Sequence, residues 1–391
     1  MSGTHSYLTP DYYVDFVCKG GSCRRPCCVG WGISLSIREY FRLLGMDCSP
    51  ELRRRMDGAF HLVEAPTEEG YAQITPNWQG DCPMHLPNGY CQLQCECGET
   101  ALPAICRYYP RGAHAEIDPE CSCSNSCEGV LELLFQKQGP IRFERRVMRF
   151  DLPEAEADVP ERIRNHYRAT RDLCIRALQR RALPLPQRMM GLGKMLKALH
   201  QAFQDGSDEV ISAALERCGH MEPPLPPQAD DAFALRVQYR IASLFGQHSN
   251  SIHDYVCFAE QTLALAEGEA PSANSVRRYR EAKVHFAALF PEWPRMFEQM
   301  VVNHVFFERF PFSDRHENMW DAYLSLCAGY ALLRFLAVSW MSDKSKLEDL
   351  VDVCAATFRL IDHSSFDWNA AILLERMRLA GEEDMARLLL A

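Results

Sequence analysis

The distribution of cysteine is the feature that most restricts how this chain folds. Of its 18 cysteines, 13 lie between Cys18 and Cys127, in the first third of its 391 residues. The remaining 264 residues contain only five, which are Cys174, Cys218, Cys257, Cys327 and Cys354. Because a general enrichment would spread the thiols evenly, the first third requires them, either for disulfides or for metal ligation.

The N-terminal sequence helps to decide between these two uses. Residues 1–16 contain neither a basic segment nor a continuous apolar run, so we predict no secretory signal and a cytoplasmic location. Structural disulfides are rare in the reducing cytosol. Metal ligation is therefore the preferred interpretation, and the adjacent pair Cys27 and Cys28 suits it, since neighbouring side chains diverge.

The spacing of the thiols bears on the identity of the metal. The cysteine pattern of the first third begins with Cys18-x4-Cys23-x3-Cys27-Cys28 and ends with Cys121-x-Cys123-x3-Cys127. Zinc sites usually pair two C-x2–4-C units, and the second half of the pattern has no clear unit of this kind. Iron–sulfur clusters tolerate irregular spacing because each thiolate reaches a separate iron. The pattern favours an iron–sulfur cluster, with zinc as the alternative metal.

Hydrophobic periodicity divides the chain into two parts. Residues 1–130 are rich in turns, with one hairpin that pairs HLVE with YAQIT and one short helix at 36–44. From about Val159 onward, apolar residues recur at helical spacing. We predict a mainly α protein, in which a cysteine-rich, turn-rich metal-binding domain at 1–135 precedes an all-helical domain at 155–391. Later helices are expected at 231–247, 253–267, 274–290, 294–307, 319–341 and 346–362, after a break at the proline-rich segment 222–227.

Charge and hydropathy limit the partners of the chain. The apolar segment 322–341 contains Arg334, so a buried core helix is expected there rather than a membrane span. A net charge of −10 argues against nucleic-acid binding. Residues 141–200 nevertheless have a net charge of +7, which predicts either a solvated face or a basic surface that contacts an acidic protein or, peripherally, the inner membrane. Its arginines on the helix predicted at 161–182 are Arg162, Arg164, Arg168, Arg171, Arg176, Arg180 and Arg181.

The order of the cysteine motifs is similar to that of a known family. C-x4-C-x3-CC-x-GW, GDCP, GYCQLQ, CRYYPR and S-x-S-C-E together resemble the flagellin lysine-N-methylases, and the similarity continues at 301–313 and 358–366. The resemblance implies methyl transfer from S-adenosylmethionine to lysine side chains of flagellin, with an iron–sulfur cluster of the 4Fe–4S type. The matching cysteines, and hence the implied metal ligands, are Cys18, Cys23, Cys27, Cys28, Cys82, Cys91, Cys106 and Cys127.

The other five N-terminal cysteines are interpreted as thiols without a ligand role, because a free cysteine packs as a small hydrophobic residue. They are Cys48, Cys95, Cys97, Cys121 and Cys123. Eight matching thiols exceed what one cluster needs, so either some are structural or a second metal is present. We expect at least four of the eight sulfurs to converge on one point, and the five downstream cysteines to lie singly among helices.

Methyl transfer makes two demands on further residues. The lysine ε-ammonium must lose its proton, and its nitrogen must be aligned with the methyl carbon. Arg111, beside Cys106, would suit the carboxylate of S-adenosylmethionine. Gly191-Leu-Gly193 lacks the preceding strand of a nucleotide-binding turn. His304, His316 and His363 are interpreted as ordinary surface or core histidines, and a role for Asp314 as proton acceptor has no independent support.

The chemistry therefore stays open at several points. A radical S-adenosylmethionine enzyme would have C-x3-C-x2-C, whereas here Cys23-x3-Cys27 is followed directly by Cys28. The preferred interpretation is a protein-lysine N-methyltransferase with unidentified catalytic residues. The alternatives are a non-catalytic iron- or zinc-binding or electron-transfer protein, and an adaptor stabilised by zinc. The oligomeric state is not predicted.

Overall fold

Helices dominate the fold, as the sequence predicts. The computed structural model describes residues 4–152, 159–313 and 318–390. Within these ranges the strands are β1 (Thr4–Pro10), β2 (Ile33–Leu35), β3 (Phe60–Leu62), β4 (Ala72–Ile74), β5 (Arg111–His114), β6 (Glu120–Cys123) and β7 (Phe143–Arg149). The helices are α1 (Ile37–Leu44), α2 (Pro50–Ala59), α3 (Gln92–Cys97), α4 (Ala104–Tyr108), α5 (Glu128–Gln136), α6 (Glu161–Leu178), α7 (Leu185–Asp205), α8 (Asp208–Gly219), α9 (Asp231–Gly246), α10 (His253–Leu263), α11 (Ala273–Leu289), α12 (Trp293–Phe307), α13 (Met319–Trp340), α14 (Leu347–His363), α15 (Phe366–Arg376) and α16 (Glu382–Leu389).

The large hydrophobic core is built around α13. This helix packs against α7, α9, α14 and α15, among others, and nearly all of its residues are buried. Among the described residues it is the one helix long and apolar enough to cross a membrane, but 94% of its most apolar window is buried inside the protein. The prediction of a buried core helix is therefore confirmed. Arg334 lies 5.0 Å from the ring centre of Trp293.

A second, smaller core lies in the N-terminal part. The three-stranded sheet has the order β2-β4-β3, and Phe60 pairs with Ile74 as the predicted hairpin requires. The predicted helix at 36–44 is also confirmed as α1, because Ser36 and Glu39 form a reciprocal capping box at its N-terminus. Buried side chains of these elements form a core of their own, which we call the small core; its largest members are Leu35, Leu43, Leu52 and Met56.

A four-stranded sheet of order β5-β6-β1-β7 was not predicted. Strand β1 pairs in parallel with β6 at Leu8 and Glu120, and antiparallel with β7 along its full length. Helix α5 packs into the large core through Val130, Leu131 and Leu134, so the N-terminal region supplies residues to both cores. The predicted domain division at 135–155 stays a prediction, and residue 155 lies outside the described ranges. Metal binding by the N-terminal region likewise stays a prediction.

The structure corrects the basic surface predicted on α6. Arg171 is completely buried, and its Nη2 lies 2.7 Å from Oε2 of Glu120. Arg168 pairs with Asp118 and with the same Glu120. This side of α6 faces β6 and α12, so these two arginines connect elements; Arg168 is partly exposed and Arg171 is removed from solvent. In the described part of the chain, the arginines of this set without a carboxylate partner are Arg162, Arg164 and Arg176.

Candidate functional site

A cavity of about 620 Å³ lies where the small core meets the helical part of the protein. Its wall contains all eight cysteines that the sequence analysis selected, together with Arg111. The five N-terminal cysteines interpreted as having no ligand role do not line it. The downstream cysteines lie singly in helices, as expected. Folding therefore gathers the selected thiols around one space, although they span more than a hundred residues.

The first group of cavity thiols is attached to the N-terminus of α5. Cys18 and Cys23 flank a short 3-10 turn, and between them Lys19 pairs with Glu128 at 2.7 Å and with Glu132 at 2.9 Å. Cys127 is the N-cap residue of the same helix. The backbone N–H of Val130 in α5 donates to the carbonyl of Cys127 at 3.1 Å. The ion pairs thus hold the 18–23 loop beside Cys127.

The second group is attached to the small core. The backbone N–H of Cys82 donates to the carbonyl of Cys28 at 2.7 Å, and Cys91 forms a β-bridge with His85. Cys82, Cys91 and Cys106 of α4 all pack against the small core. Backbone N–H groups of the residues that follow Cys82 and Cys91 lower the pKa of both thiols, although burial has the larger, opposite effect. Such N–H donors favour the thiolate form, which is the form that binds metals.

Burial sets the protonation of most of these thiols when no metal is bound. Together with the charges of neighbouring groups, it raises the pKa of Cys23 to about 12 and those of Cys82 and Cys127 to about 11. The adjacent thiols of Cys27 and Cys28 influence each other. Cys28 favours the thiolate of Cys27 and lowers its pKa, with help from Arg359, and the same interaction raises the pKa of Cys28. Metal binding would therefore release protons from most of the group.

A single metal ion and an iron–sulfur cluster require different arrangements of the cavity thiols. All 18 cysteines are free, so disulfides are absent. In the described ranges, no group of three or more Cys, His, Asp or Glu side chains is close enough to hold one metal ion, so the expected convergence on one point is wrong. A tetrahedral zinc with bonds of 2.3 Å needs sulfurs about 3.8 Å apart. Ligands of a cluster bind separate irons and stand farther apart, so thiols around a cavity fit a cluster better than a single ion.

Aromatic and histidine side chains form another part of the cavity lining, which we call the aromatic wall. It consists of Trp31, Tyr109 and His363, the last residue of α14. The ring centre of His363 lies 4.9 Å from that of Trp31 and 6.0 Å from that of Tyr109. Nε2 of His363 and the Tyr109 hydroxyl are each 2.9 Å from Oγ of Ser126. His363 is exposed to the cavity, so its interpretation as an ordinary histidine missed this placement.

A buried ion pair lies next to the aromatic wall, because one of its members directly precedes His363 in α14. Nδ1 of His304 lies 3.1 Å from Oδ1 of Asp362, whose other oxygen accepts a hydrogen bond from Ser124. Burial disfavours the charged imidazole, but the hydrogen bond and charge of Asp362 outweigh it and raise the pKa of His304 to about 9. His304 is thus a satisfied core histidine, as interpreted from the sequence. Asp314 and His316 lie outside the described residues.

Arg111 occupies a position suited to an anion. Its guanidinium lies 5.0 Å from the ring centre of Phe16 and 5.8 Å from that of Tyr13. In the part of the chain that the structure describes, no carboxylate forms an ion pair with Arg111. A half-buried guanidinium without a carboxylate partner retains its donors for a ligand.

Comparison with known proteins gives a family and distant relatives. Residues 171–390, more than half of the chain, match the family model described as "FliB lysine N-methylase C-terminal domain". Over 105 residues, or 27% of this chain, it is 28% identical to the "Lysine-N-methylase" of Salmonella choleraesuis (strain SC-B67) and to that of Salmonella typhimurium (strain LT2). The matched stretch covers only 26% of each of those relatives.

A third relative is shorter. The "Flagellar biosynthetic protein FliU" of Salmonella muenchen is 27% identical over 105 residues, which are 27% of this chain and 62% of that protein. No solved structure matches the chain.

Proposed function

The chain belongs to the FliB lysine N-methylase family, and we propose that it transfers methyl groups from S-adenosylmethionine to lysine side chains of flagellin. The names of its relatives support lysine methylation and a link to flagella. One structural observation supports the proposal most strongly. The selected thiols, Arg111 and the aromatic wall all face the same cavity. Soft ligands, an anion-binding group and a proton acceptor are thereby within one enclosed space.

In this proposal an iron–sulfur cluster is held by thiols among the eight cavity cysteines. Soft thiolates suit iron–sulfur groups, and the backbone N–H groups directed at Cys82, Cys91 and Cys127 would stabilise their charge. When bound, such a cluster supplies either an iron that accepts the amino and carboxylate groups of the methyl donor or a carrier of electrons. The remaining chemistry is assigned to the side chains of the protein.

Arg111 binds the carboxylate of S-adenosylmethionine. The guanidinium has planar paired donors that match a carboxylate, and lysine lacks this geometry. Stacking on Phe16 fixes its plane at the cavity wall. The positively charged sulfonium would then lie toward the centre of the cavity, within reach of an incoming amine.

The aromatic wall receives the substrate lysine. Trp31 and Tyr109 offer ring faces to the alkyl chain and to the ammonium group. His363 accepts one proton from the ε-ammonium, which gives a neutral amine. The nitrogen lone pair then forms a bond to the methyl carbon while the carbon–sulfur bond breaks, and its electrons convert the sulfonium to a thioether. The protonated His363 finally releases its proton to water.

The proposal is tested with protein prepared without oxygen, S-adenosylmethionine labelled in its methyl group, and flagellin as acceptor. Mass spectrometry should find labelled methyl groups on flagellin lysines. His363→Gln should lower kcat at least tenfold and affect KM little, whereas His248→Gln, at an exposed histidine in a turn, should leave both unchanged.

The same assay examines the cofactor site. Arg111→Gln should raise the KM for S-adenosylmethionine about tenfold or more, which corresponds to the loss of a charged hydrogen bond. Arg149→Gln is the matched control, because Arg149 is exposed on β7, the opposite edge strand of the same sheet, and does not line the cavity. A preparation that contains iron but labels no lysine in flagellin would support the alternative, a non-catalytic metal-binding or electron-transfer protein.

A further inference from the structure

Two buried hydroxyl groups connect the ion pair of His304 and Asp362 to His363 in the cavity. They belong to Ser124 and Ser126, which do not line the cavity and which we call the serine chain. We propose that the serine chain positions His363 by keeping the proton of the neutral ring on Nε2, so that Nδ1 is the nitrogen that accepts the proton of the substrate lysine. The inference rests on the proposed function only for the role of His363 as proton acceptor.

The direction of the hydrogen bonds is set at the buried end of the chain. Nδ1 of His304 lies 3.1 Å from Oδ1 of Asp362, and the raised pKa of His304 makes this contact an ion pair at neutral pH. Oδ2 of the same carboxylate is hydrogen-bonded to Oγ of Ser124. An ionised carboxylate has no proton and can only accept. The hydroxyl of Ser124 therefore donates its proton to Asp362.

The contact between the two serines continues in the same direction. Their Oγ atoms are 2.6 Å apart, a distance at which one hydroxyl must donate to the other. Ser124 has already used its single proton, so Ser126 is the donor. The backbone N–H of Ser126 also donates to Oγ of Ser124, at 3.0 Å. Ser124 thus donates one hydrogen bond and accepts two, which is the full capacity of a hydroxyl.

The last contact determines which nitrogen of His363 carries the proton. Nε2 of His363 and the hydroxyl of Tyr109 each lie 2.9 Å from Oγ of Ser126. Because Ser126 donates to Ser124, it can only accept from these two groups. Nε2 of His363 therefore bears a hydrogen, and in the neutral ring the lone pair is on Nδ1.

A fixed tautomer suits a group that takes up a proton. In the proposed step, a proton of the lysine ammonium is transferred to Nδ1 of His363, and the ring becomes a cation with a hydrogen on each nitrogen. Nε2–H keeps its hydrogen bond to Ser126, and no proton moves along the serine chain. Both hydroxyl dipoles direct their oxygen ends toward the cation, with the carboxylate of Asp362 beyond them. The chain thereby stabilises the charge that forms on His363.

Nuclear magnetic resonance reads the tautomer directly. The full-length protein is labelled isotopically in its histidine nitrogens and purified without oxygen, and the signals of His363 are assigned by their loss in His363→Gln. The neutral ring of the wild type should show a protonated Nε2 and an unprotonated Nδ1. Ser124→Ala leaves Ser126 free to donate to His363, so the signals should shift toward the other tautomer. Ser122→Ala is the matched control, since Ser122 is equally buried in β6 and its hydroxyl has no hydrogen-bond partner among the described residues.

Methyl transfer to flagellin provides a second measurement. Ser124→Ala should lower kcat about tenfold and change KM less than about twofold, because Ser124 does not line the cavity. The same substitution in the His363→Gln variant should not lower the residual activity further, since the chain acts through that ring. A purely structural role would lower the activity in both backgrounds. Ser122→Ala should leave kcat unchanged.

Three results would overturn the inference. They are a neutral wild-type His363 with its proton on Nδ1, a tautomer that Ser124→Ala leaves unchanged, and equal losses of kcat with and without His363. If circular dichroism shows that Ser124→Ala does not fold, the wild-type tautomer decides. If the signals of His363 are too broad to assign, the comparison of kcat decides.

Failure of the proposed function would look different. A protein that labels no lysine, but in which Ser124 keeps the proton of His363 on Nε2, would support the positioning role and contradict the proposed function. Labelled flagellin together with a proton on Nδ1 of neutral His363 would do the reverse.

Discussion

Replacement of Arg171 by methionine should destabilise the protein strongly. The guanidinium is completely buried and all of its nitrogens have partners. It donates to Glu120 and to the carbonyls of Phe306 and Phe310, each of these carbonyls at 2.9 Å. Methionine fills much of the same volume but leaves the Phe310 carbonyl without a donor, whereas the Phe306 carbonyl still accepts the backbone N–H of Arg309 at 3.3 Å. Glu120 keeps only its bonds to Arg168 and Tyr167.

The expected loss is about 3–5 kcal/mol, the usual cost of removing one partner of a buried ion pair. The unsatisfied Phe310 carbonyl, at about 1–3 kcal/mol, keeps the change within this range even though Glu120 retains Arg168 as a partner. Urea unfolding followed by circular dichroism measures it, because helices surround this pair. Arg164→Met is the matched control on the same helix, and its exposed side chain should change stability by no more than about 0.5 kcal/mol.

The reasoning would be refuted if Arg171→Met and Arg164→Met changed the free energy of unfolding equally. A second variant separates the pair from the carbonyls. Arg171→Met combined with Glu120→Gln removes the uncompensated charge. The double variant should therefore lose less free energy of unfolding than the sum of the losses in the two single variants. Simple additivity would show that the ion pair itself contributes nothing.

Three further outcomes are expected. Because the pKa of His304 is raised to about 9, its ion pair with Asp362 stabilises the fold fully below about pH 6.5 and ceases to do so as the pH rises through 9. Asp362→Asn should remove roughly 3 kcal/mol of this pH-dependent stability. Unfolding measured at pH 6 and at pH 9.5 gives the difference. Gly193→Ala should lower the melting temperature, since its methyl group would collide with a tyrosine of α13, whereas Gly58→Ala, with open space around it, should leave it equal or higher. Cys327→Ser should not change the iron content, and a change would mean that buried helical thiols influence the cavity.

Local signals explain what the sequence predicted well. The capping residue Ser36 and its partner Glu39 are three positions apart, so the start of α1 is encoded in four residues. Helices α9 to α14 follow from apolar periodicity, and they begin and end within a few residues of the predicted bounds, whereas α8, α15 and α16 were not predicted. The cavity thiols were selected as a group because their motifs resemble those of one family, and their role as ligands stays a prediction. Their division between two cores depends on tertiary packing and has no signature in spacing.

Long-range contacts explain what was missed. Strands β1 and β7 pair across more than 130 residues, and the charged side chains of β7 give it no apolar alternation. The charge of a side chain does not show whether tertiary contacts bury it, so Arg171 was assigned to the basic surface of its helix. His363 ends an ordinary helix, and only the packing of α14 beside residues 124–126 brings it to the cavity.

The walls of the cavity are synthesised at very different times. Cys127 completes the thiols, but the last wall residues, Asp362 to Ser365, follow about 240 residues later. At a translation rate of about 5–20 residues per second, roughly ten to fifty seconds separate the two events. During this interval the nascent chain exposes a complete set of thiols together with Trp31 and Tyr109, but without His363 and the residues beside it. For the proposed cluster, delivery of metal to the growing chain and protection of its thiols from oxidation would therefore be matters of timing on the ribosome as well as of affinity.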